Sequence, residues 1–141
     1  MDYSQILPAI GAIFLSYLFG AVPFGLVIAR LSGIQDIRKL GSGNIGATNV
    51  WRIAGAKVAL WVFVFDIGKG VAAVLMARFA YNQFIVSIIS IELFMSLCGV
   101  AAVIGHVYPI YINFKGGKGV NTALGVMATL LPTQIAFSFG A

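Results

Sequence analysis

The chain has 141 residues, of which 60% are hydrophobic and only 9% are Asp, Glu, Lys or Arg, with a mean hydropathy of +1.00 and a formal net charge of +5. Four acids and nine bases cannot coat a soluble domain of this size, so the composition excludes an ordinary soluble protein and implies a membrane protein. The bases form no run and sit beside apolar segments, which excludes a nucleic-acid surface; the single Cys98 excludes a disulfide framework and reads as a buried thiol.

In chain order, residues 3 to 29 carry no charge, longer than the roughly 20 residues a bilayer-crossing helix needs, and a first span is predicted near 6–29. Asp2 and the length of this stretch argue against a cleaved signal peptide. Pro23 and Gly25 predict a kink or break near its inner end. A second span is predicted over 58–77, interrupted by Asp66 and Lys69, and a third over 84–112, containing Glu92 and ending near His106. The fourth, 120–141, reaches the last residue with no polar flank or basic anchor, so the chain is expected to be a single transmembrane domain that is incomplete at its carboxyl end.

Charge orients these spans. Arg30, Arg38, Lys39, Arg52 and Lys57 cluster in the first loop and Lys115 and Lys118 in the third, against Arg78 alone in the second. The positive-inside rule therefore places the amino terminus outside and both basic loops in the cytoplasm. Each of those loops is rich in glycine.

The first, "GSGNIGATNVWR" (41–52), satisfies G-x-G-x-x-G, and Asp66 lies 20 residues past Gly46, where a ribose-binding acid would stand. A dinucleotide fold needs a strand before the loop and a soluble βαβ unit around it, whereas Asp66 falls inside an apolar span. The Gly41-to-Gly46 spacing also suits a nucleotide P-loop, but Ala47 occupies the position of the phosphate-binding lysine. What both motifs share survives: glycines let backbone N–H groups converge on an anion, with Ser, Thr and Asn as further donors and Arg52 as a forked cation. The second loop, "FKGGKGVNT" (114–122), has the same character, with Lys115 and Lys118 flanking Gly116 and Gly117. The plainer alternative is that the glycines only make turns and the lysines only obey the positive-inside rule; two such loops on one face weigh against it.

Ionisable residues inside spans cost roughly 2.5 to 3.5 kcal/mol each on insertion scales. Asp66 and Lys69, three apart, share a helical face and either pair structurally or orient a site group. Glu92 has no partner within a turn and must pair with another helix, sit near the interface or stay protonated. His106 reads as a helix-end hydrogen-bonder or as a catalyst; Tyr111 stands where thioester-dependent acyltransferases place an Asp, so their motif is absent. No nucleophile elbow, metal-ligand spacing or catalytic carboxylate pair is present, and no metal or cofactor is expected.

Three stretches resemble a known family. "DIRKLGSGNIGATNVWR", "DIGKG" and "GHVYPIYINFKGGKGV" are similar, in order and at membrane-appropriate spacing, to motifs of the bacterial integral-membrane glycerol-3-phosphate acyltransferases that use acyl phosphate (PlsY). Asn121 departs from the family's usual alanine, and the family has seven spans where about four are predicted here. The resemblance implies an all-α integral membrane protein of the bacterial inner membrane, multi-pass, with its active site toward the cytoplasm. It implies transfer of an acyl group from acyl phosphate to the primary hydroxyl of glycerol 3-phosphate, giving lysophosphatidic acid and phosphate, with membrane lipid as surroundings and no nucleic-acid partner.

Carried over position by position, the resemblance makes Ser42, Arg52 and Lys118 the catalytic groups, Ser42 as a hydrogen-bond donor and not a nucleophile. It makes Gly43, Asn44, Gly46, Thr48, Asn49, Lys115, Gly116 and Gly117 the substrate- and phosphate-binding residues, with Asp66, Lys69 and His106 in support. The general base is left open, a substrate phosphate being one choice. Two other classes compete: a transporter of a phosphate ester or other anion, with the glycine loops as broken-helix sites, and an assembly fragment without activity of its own.

Overall fold

A computed structural model describes residues 5–85 and 89–131. Among the described residues every regular element is helical. The first apolar stretch is built in two pieces, α1 (Ile6–Gly20) and α2 (Phe24–Leu31). Pro23 explains the break: it has no amide hydrogen, and its ring pushes the preceding residue out of helical backbone. The chain restarts at once, with the Leu26 and Val27 N–H groups donating to the Pro23 carbonyl at 3.0 and 3.1 Å.

A short 3-10 turn, Ile37–Lys39, leads through the first glycine loop to α3 (Ala47–Ala54), and Gly55 then reverses the chain into α4 (Ala56–Phe84). α5 (Ile91–Val107) follows, then a second 3-10 turn at Ile110–Ile112, the lysine loop and α6 (Val120–Leu130). By length and composition Ile6–Leu31, Ala56–Phe84 and Ile91–Ile112 can each cross a bilayer, and α6 is a shorter apolar helix. Residues 132–141 of the fourth expected span lie outside the described residues.

The expected second and third spans divide differently in the structure. α4 continues past Ala77 to Phe84, because Arg78, Asn82 and Gln83 end the apolar stretch without ending the helix. Its 29 residues measure about 43 Å, more than the hydrocarbon thickness of a bilayer. α5 accordingly begins at Ile91, not at residue 84, and is capped by Ser90, whose Oγ accepts the Leu93 N–H at 3.3 Å. Glu92 therefore lies exposed in a first helical turn, where its charge complements the helix dipole, and not within the bundle.

α4 is the central post, in contact with α1, α2, α3, α5 and α6, while α1 packs along α5. Lipid tails are as apolar as leucine, so these helices gain by close approach. A Cβ on Gly105 would collide with the Tyr17 carbonyl, and one on Gly70 with the Thr122 carbonyl, so both contacts require glycine. Leu7, Phe14, Leu15, Leu60, Trp61 and Phe79 point outward from the bundle, as lipid-facing side chains do. At the loop end, Leu26, Ala29, Ile37, Ile45, Val50 and Val62 form a separate core that anchors the first glycine loop to α2 and α4.

Candidate active site

The first glycine loop is organised around one buried side chain. Asn49, in the first turn of α3, donates from Nδ2 to the carbonyls of Leu40 at 3.1 Å and Asn44 at 2.9 Å. Its Oδ1 accepts the Ser42 N–H at 2.9 Å. Gly41 and Gly43 have φ values of +59° and +73°, in the left-handed region, and a Cβ on Gly41 would strike Asn49 Oδ1. The Gly43 N–H donates to the Leu40 carbonyl at 3.0 Å and the Gly46 N–H to Asn44 Oδ1 at 2.8 Å. Successive glycine amides aimed at an anion, the arrangement expected from the sequence, are thus not what forms. The amides of Ser42, Gly43 and Gly46 brace the loop itself, and the Asn49 side chain holds its shape.

The second loop follows the same logic. The Gly116 and Gly117 N–H groups donate to the carbonyls of Val107 and His106 at 3.2 and 3.1 Å, strapping the loop onto the end of α5. A Cβ on Gly116 would collide with the His106 carbonyl and one on Gly117 with the His106 imidazole. These glycines bring backbone against backbone and leave the lysines free to project.

Between the loops lies a cavity of about 270 Å³. Ser42, Asn44, Gly46, Thr48 and Arg52 form one wall, Lys118 to Asn121 the other, and Asp66 and His106 also line it. Ser42, Thr48, Arg52 and Lys118 are exposed, whereas Asp66 and His106 are buried. Ala47 and Thr48 open α3, and Val120 and Asn121 open α6, so two helix N-termini meet the cavity. The amides of Ala47, Thr48, Val120 and Asn121 have no carbonyl one turn back, and the helix dipoles favour an anion between them.

The buried ionisable side chains lie close to one another. Asp66 Oδ1 lies 3.1 Å from Lys69 Nζ and 3.5 Å from His106 Nδ1. Lys69 Nζ also donates to the Val22 carbonyl at the α1–α2 break, at 3.1 Å, and sits 5.7 Å from the Phe24 ring centroid. Lys69 thus pairs with Asp66 and joins the broken helix to α4, while Asp66 faces the histidine.

A second cavity, of about 450 Å³, adjoins the first through Ser42 and Asn44, which line both; its other residues are Arg38, Gly43, Lys115 and Gly116. Asp36 grips Arg38 through Nε–Oδ1 and Nη2–Oδ2 contacts, both 2.9 Å. That guanidinium holds the Asp36 carboxyl down at about 2. A third, apolar recess of about 260 Å³, formed by Trp51, Ala56, Ala59, Leu60 and Phe63, meets the first cavity at Ala47 and Thr48.

Of the residues singled out in the sequence, Ser42, Asn44, Gly46, Thr48, Asn49, Arg52, Asp66, His106 and Lys118 meet at the first cavity. Gly43, Lys115 and Gly116 are at the second, Gly117 is buried behind His106, and Lys69 is buried at the helix break. Arg38 was read from sequence only as an orienting charge; opposite charges two apart in "DIR" were a signal for its pairing with Asp36, not for its place at the cavity. Among the described residues no group of three His, Cys, Asp or Glu is placed to hold a metal.

An all-α bundle with three bilayer-length helices and a cationic cleft at their loop end defines an integral membrane protein that crosses the bilayer several times. The chain belongs to the glycerol-3-phosphate acyltransferase family, whose model matches residues 10–141, and the membership expected from the three motifs is met. The glycerol-3-phosphate acyltransferase of Zymomonas mobilis is 50% identical over 113 residues, 79% of this chain and 53% of that one. That of Allorhizobium ampelinum is 40% identical over 137 residues, 96% of this chain and 63% of that one. The crystal structure of PlsY (YgiH), an integral membrane glycerol 3-phosphate acyltransferase, matches in its glycerol 3-phosphate form with a TM-score of 0.75 and 43% identity. Its lysophosphatidic acid form matches with a TM-score of 0.73 and 41% identity. Either match covers 93% of this chain and 61–62% of the other, so the chain spans between half and two thirds of these relatives' length.

Proposed function

We propose that the protein transfers a fatty acyl group from acyl phosphate to the primary hydroxyl of glycerol 3-phosphate, in phospholipid synthesis at the bacterial inner membrane. The observation that carries this reading is the first cavity, which Arg52 of α3 and Lys118 of the lysine loop both line, which two helix N-termini meet, and which lies beside an apolar recess. Such a place suits a substrate with a phosphate at one end and a hydrocarbon chain at the other.

The hydroxyl oxygen attacks the acyl carbonyl carbon, a carbon–oxygen bond forms, and negative charge gathers on the carbonyl oxygen. Arg52, Lys118 and the Ser42 hydroxyl stabilise that charge. The bond to the phosphate oxygen then breaks, and the departing phosphate takes the hydroxyl proton. Phosphate is a good leaving group, so no enzyme nucleophile is required. Asp66 and His106 hold the lysine loop in place from below, and the acyl chain lies along Trp51, Leu60 and Phe63. The excess of basic residues in these loops favours a site toward the cytoplasm.

The transporter alternative requires an open site at a broken helix. The break at Val22 is instead occupied by Lys69, which favours an enzyme at the span ends. The test is incubation of the purified protein in detergent or lipid with acyl phosphate and glycerol 3-phosphate, scored by lysophosphatidic acid. Folded protein without product overturns the reading, and equal use of an acyl thioester overturns the donor assignment. Arg52→Ala and Lys118→Ala should each lower turnover by about a hundredfold or more.

A further inference from the structure

The second cavity holds a cation with an acid built against it. Arg38 and Lys115 face it from different loops, and it opens onto the first cavity at Ser42 and Asn44. Asp36 contacts the guanidinium along its Nε and Nη2 edge and also accepts the Arg38 backbone N–H, at 3.1 Å. A guanidinium carries five N–H donors, so three hydrogens remain for a ligand. The carboxylate therefore does two opposed things: it fixes the donor fork in one orientation, and it offsets the fork's charge.

From this we infer that the second cavity is a receiving subsite for the phosphoryl group of a small, water-soluble phosphate monoester, with Asp36 limiting how tightly it is held. The ester rests between Arg38 and Lys115, and its alcohol end reaches the first cavity past Ser42 and Asn44. A full pair of unopposed cations would hold a dianion longer than a relay requires. The inference rests on the acyl-transfer reading above, with glycerol 3-phosphate as the monoester.

The test is calorimetric titration of the detergent-solubilised protein with glycerol 3-phosphate, without acyl donor, so that binding is read apart from turnover. Arg38→Ala should weaken binding about tenfold, and Lys115→Ala, at the opposite wall, should weaken it as well. Asp36→Asn keeps an oxygen for the Arg38 N–H but removes the charge, and should tighten binding about threefold. Unchanged affinity in both Arg38→Ala and Lys115→Ala overturns the subsite. Weakening by Asp36→Asn overturns the limiting role of the carboxylate. Displacement of glycerol 3-phosphate by phosphatidate-containing vesicles, but not by inorganic phosphate, overturns the soluble source. The expected pattern in a protein that forms no lysophosphatidic acid would retain the subsite while the acyl-transfer proposal fell.

Discussion

Asn49 is the side chain on which the first loop depends, and Asn49→Ala is the perturbation that measures it. The change removes three bonds of 2.9 to 3.1 Å, to the Leu40 and Asn44 carbonyls and from the Ser42 N–H, at a residue only 2% exposed. The loop rim is partly wetted, so water recovers some of the loss; at about 1 kcal/mol net per bond the loop is destabilised by about 3 kcal/mol. That corresponds to a rise of roughly a hundredfold in the open population. Amide hydrogen exchange at Ser42 and Gly43 should accelerate by that factor and, under the proposed acyl transfer, formation of lysophosphatidic acid should fall by about tenfold to a hundredfold. Because Asn49 acts by placing Ser42, the double change with Ser42→Ala should cost little more than the worse single change. Asn49→Asp keeps the acceptor for Ser42 but turns a carboxylate oxygen toward the Leu40 and Asn44 carbonyls in a buried place, and should cost at least as much as Asn49→Ala. Native exchange rates in Asn49→Ala, or strict additivity with Ser42→Ala, would refute the assignment.

Three further outcomes follow from the same geometry. Gly117→Ala drives a methyl group into the His106 imidazole and should destabilise the protein by about 1–3 kcal/mol while lowering turnover, seen as a shifted melting temperature in micelles; an unshifted protein would show that the ring has room to move. Asp66→Asn leaves the Lys69 ammonium buried without its carboxylate, a loss of about 3–5 kcal/mol that Lys69→Met should partly restore; equal stability of Asp66→Asn and the parent would contradict the pairing. The Asp36 carboxyl, held at about 2 by Arg38, contributes to the folded state above its ordinary value near 4, and that contribution is lost as the pH falls through about 2. A carbon-13 titration should give that midpoint and return toward 4 in Arg38→Ala; an ordinary midpoint in the parent would mean that the chelate does not form.

Much of this was legible because a membrane makes charge conspicuous. In a chain with thirteen formal charges, one inside a span requires a reason, and Asp66 and Lys69 drew attention on that ground, whereas Arg52, Lys115 and Lys118 drew it by standing beside the glycine-rich loops. The glycines were located correctly but given the wrong task. Local sequence does not distinguish an amide that faces a ligand from one that closes a turn, and the partner that decides it, Asn49, acts through carbonyls five to nine residues away. The boundary between α4 and α5 escaped for another reason: hydropathy marks where lipid ends, not where the helix does. Arg38 escaped because its placement at a cavity depends on Lys115, far along the chain and joined to it only by folding.

The carbonyl freed at Val22 bears on how the chain is assembled. α4 entering the bilayer alone would carry both Asp66 and Lys69, each costing roughly 2.5 to 3.5 kcal/mol near the middle of the membrane. α1 and α2 leave the ribosome first, and their break already presents an acceptor for the lysine when α4 emerges. The acceptor that the buried lysine uses is thus carried by the helix pair that precedes it in the chain. A defect at Lys69 should therefore register as lost protein before it registers as lost rate.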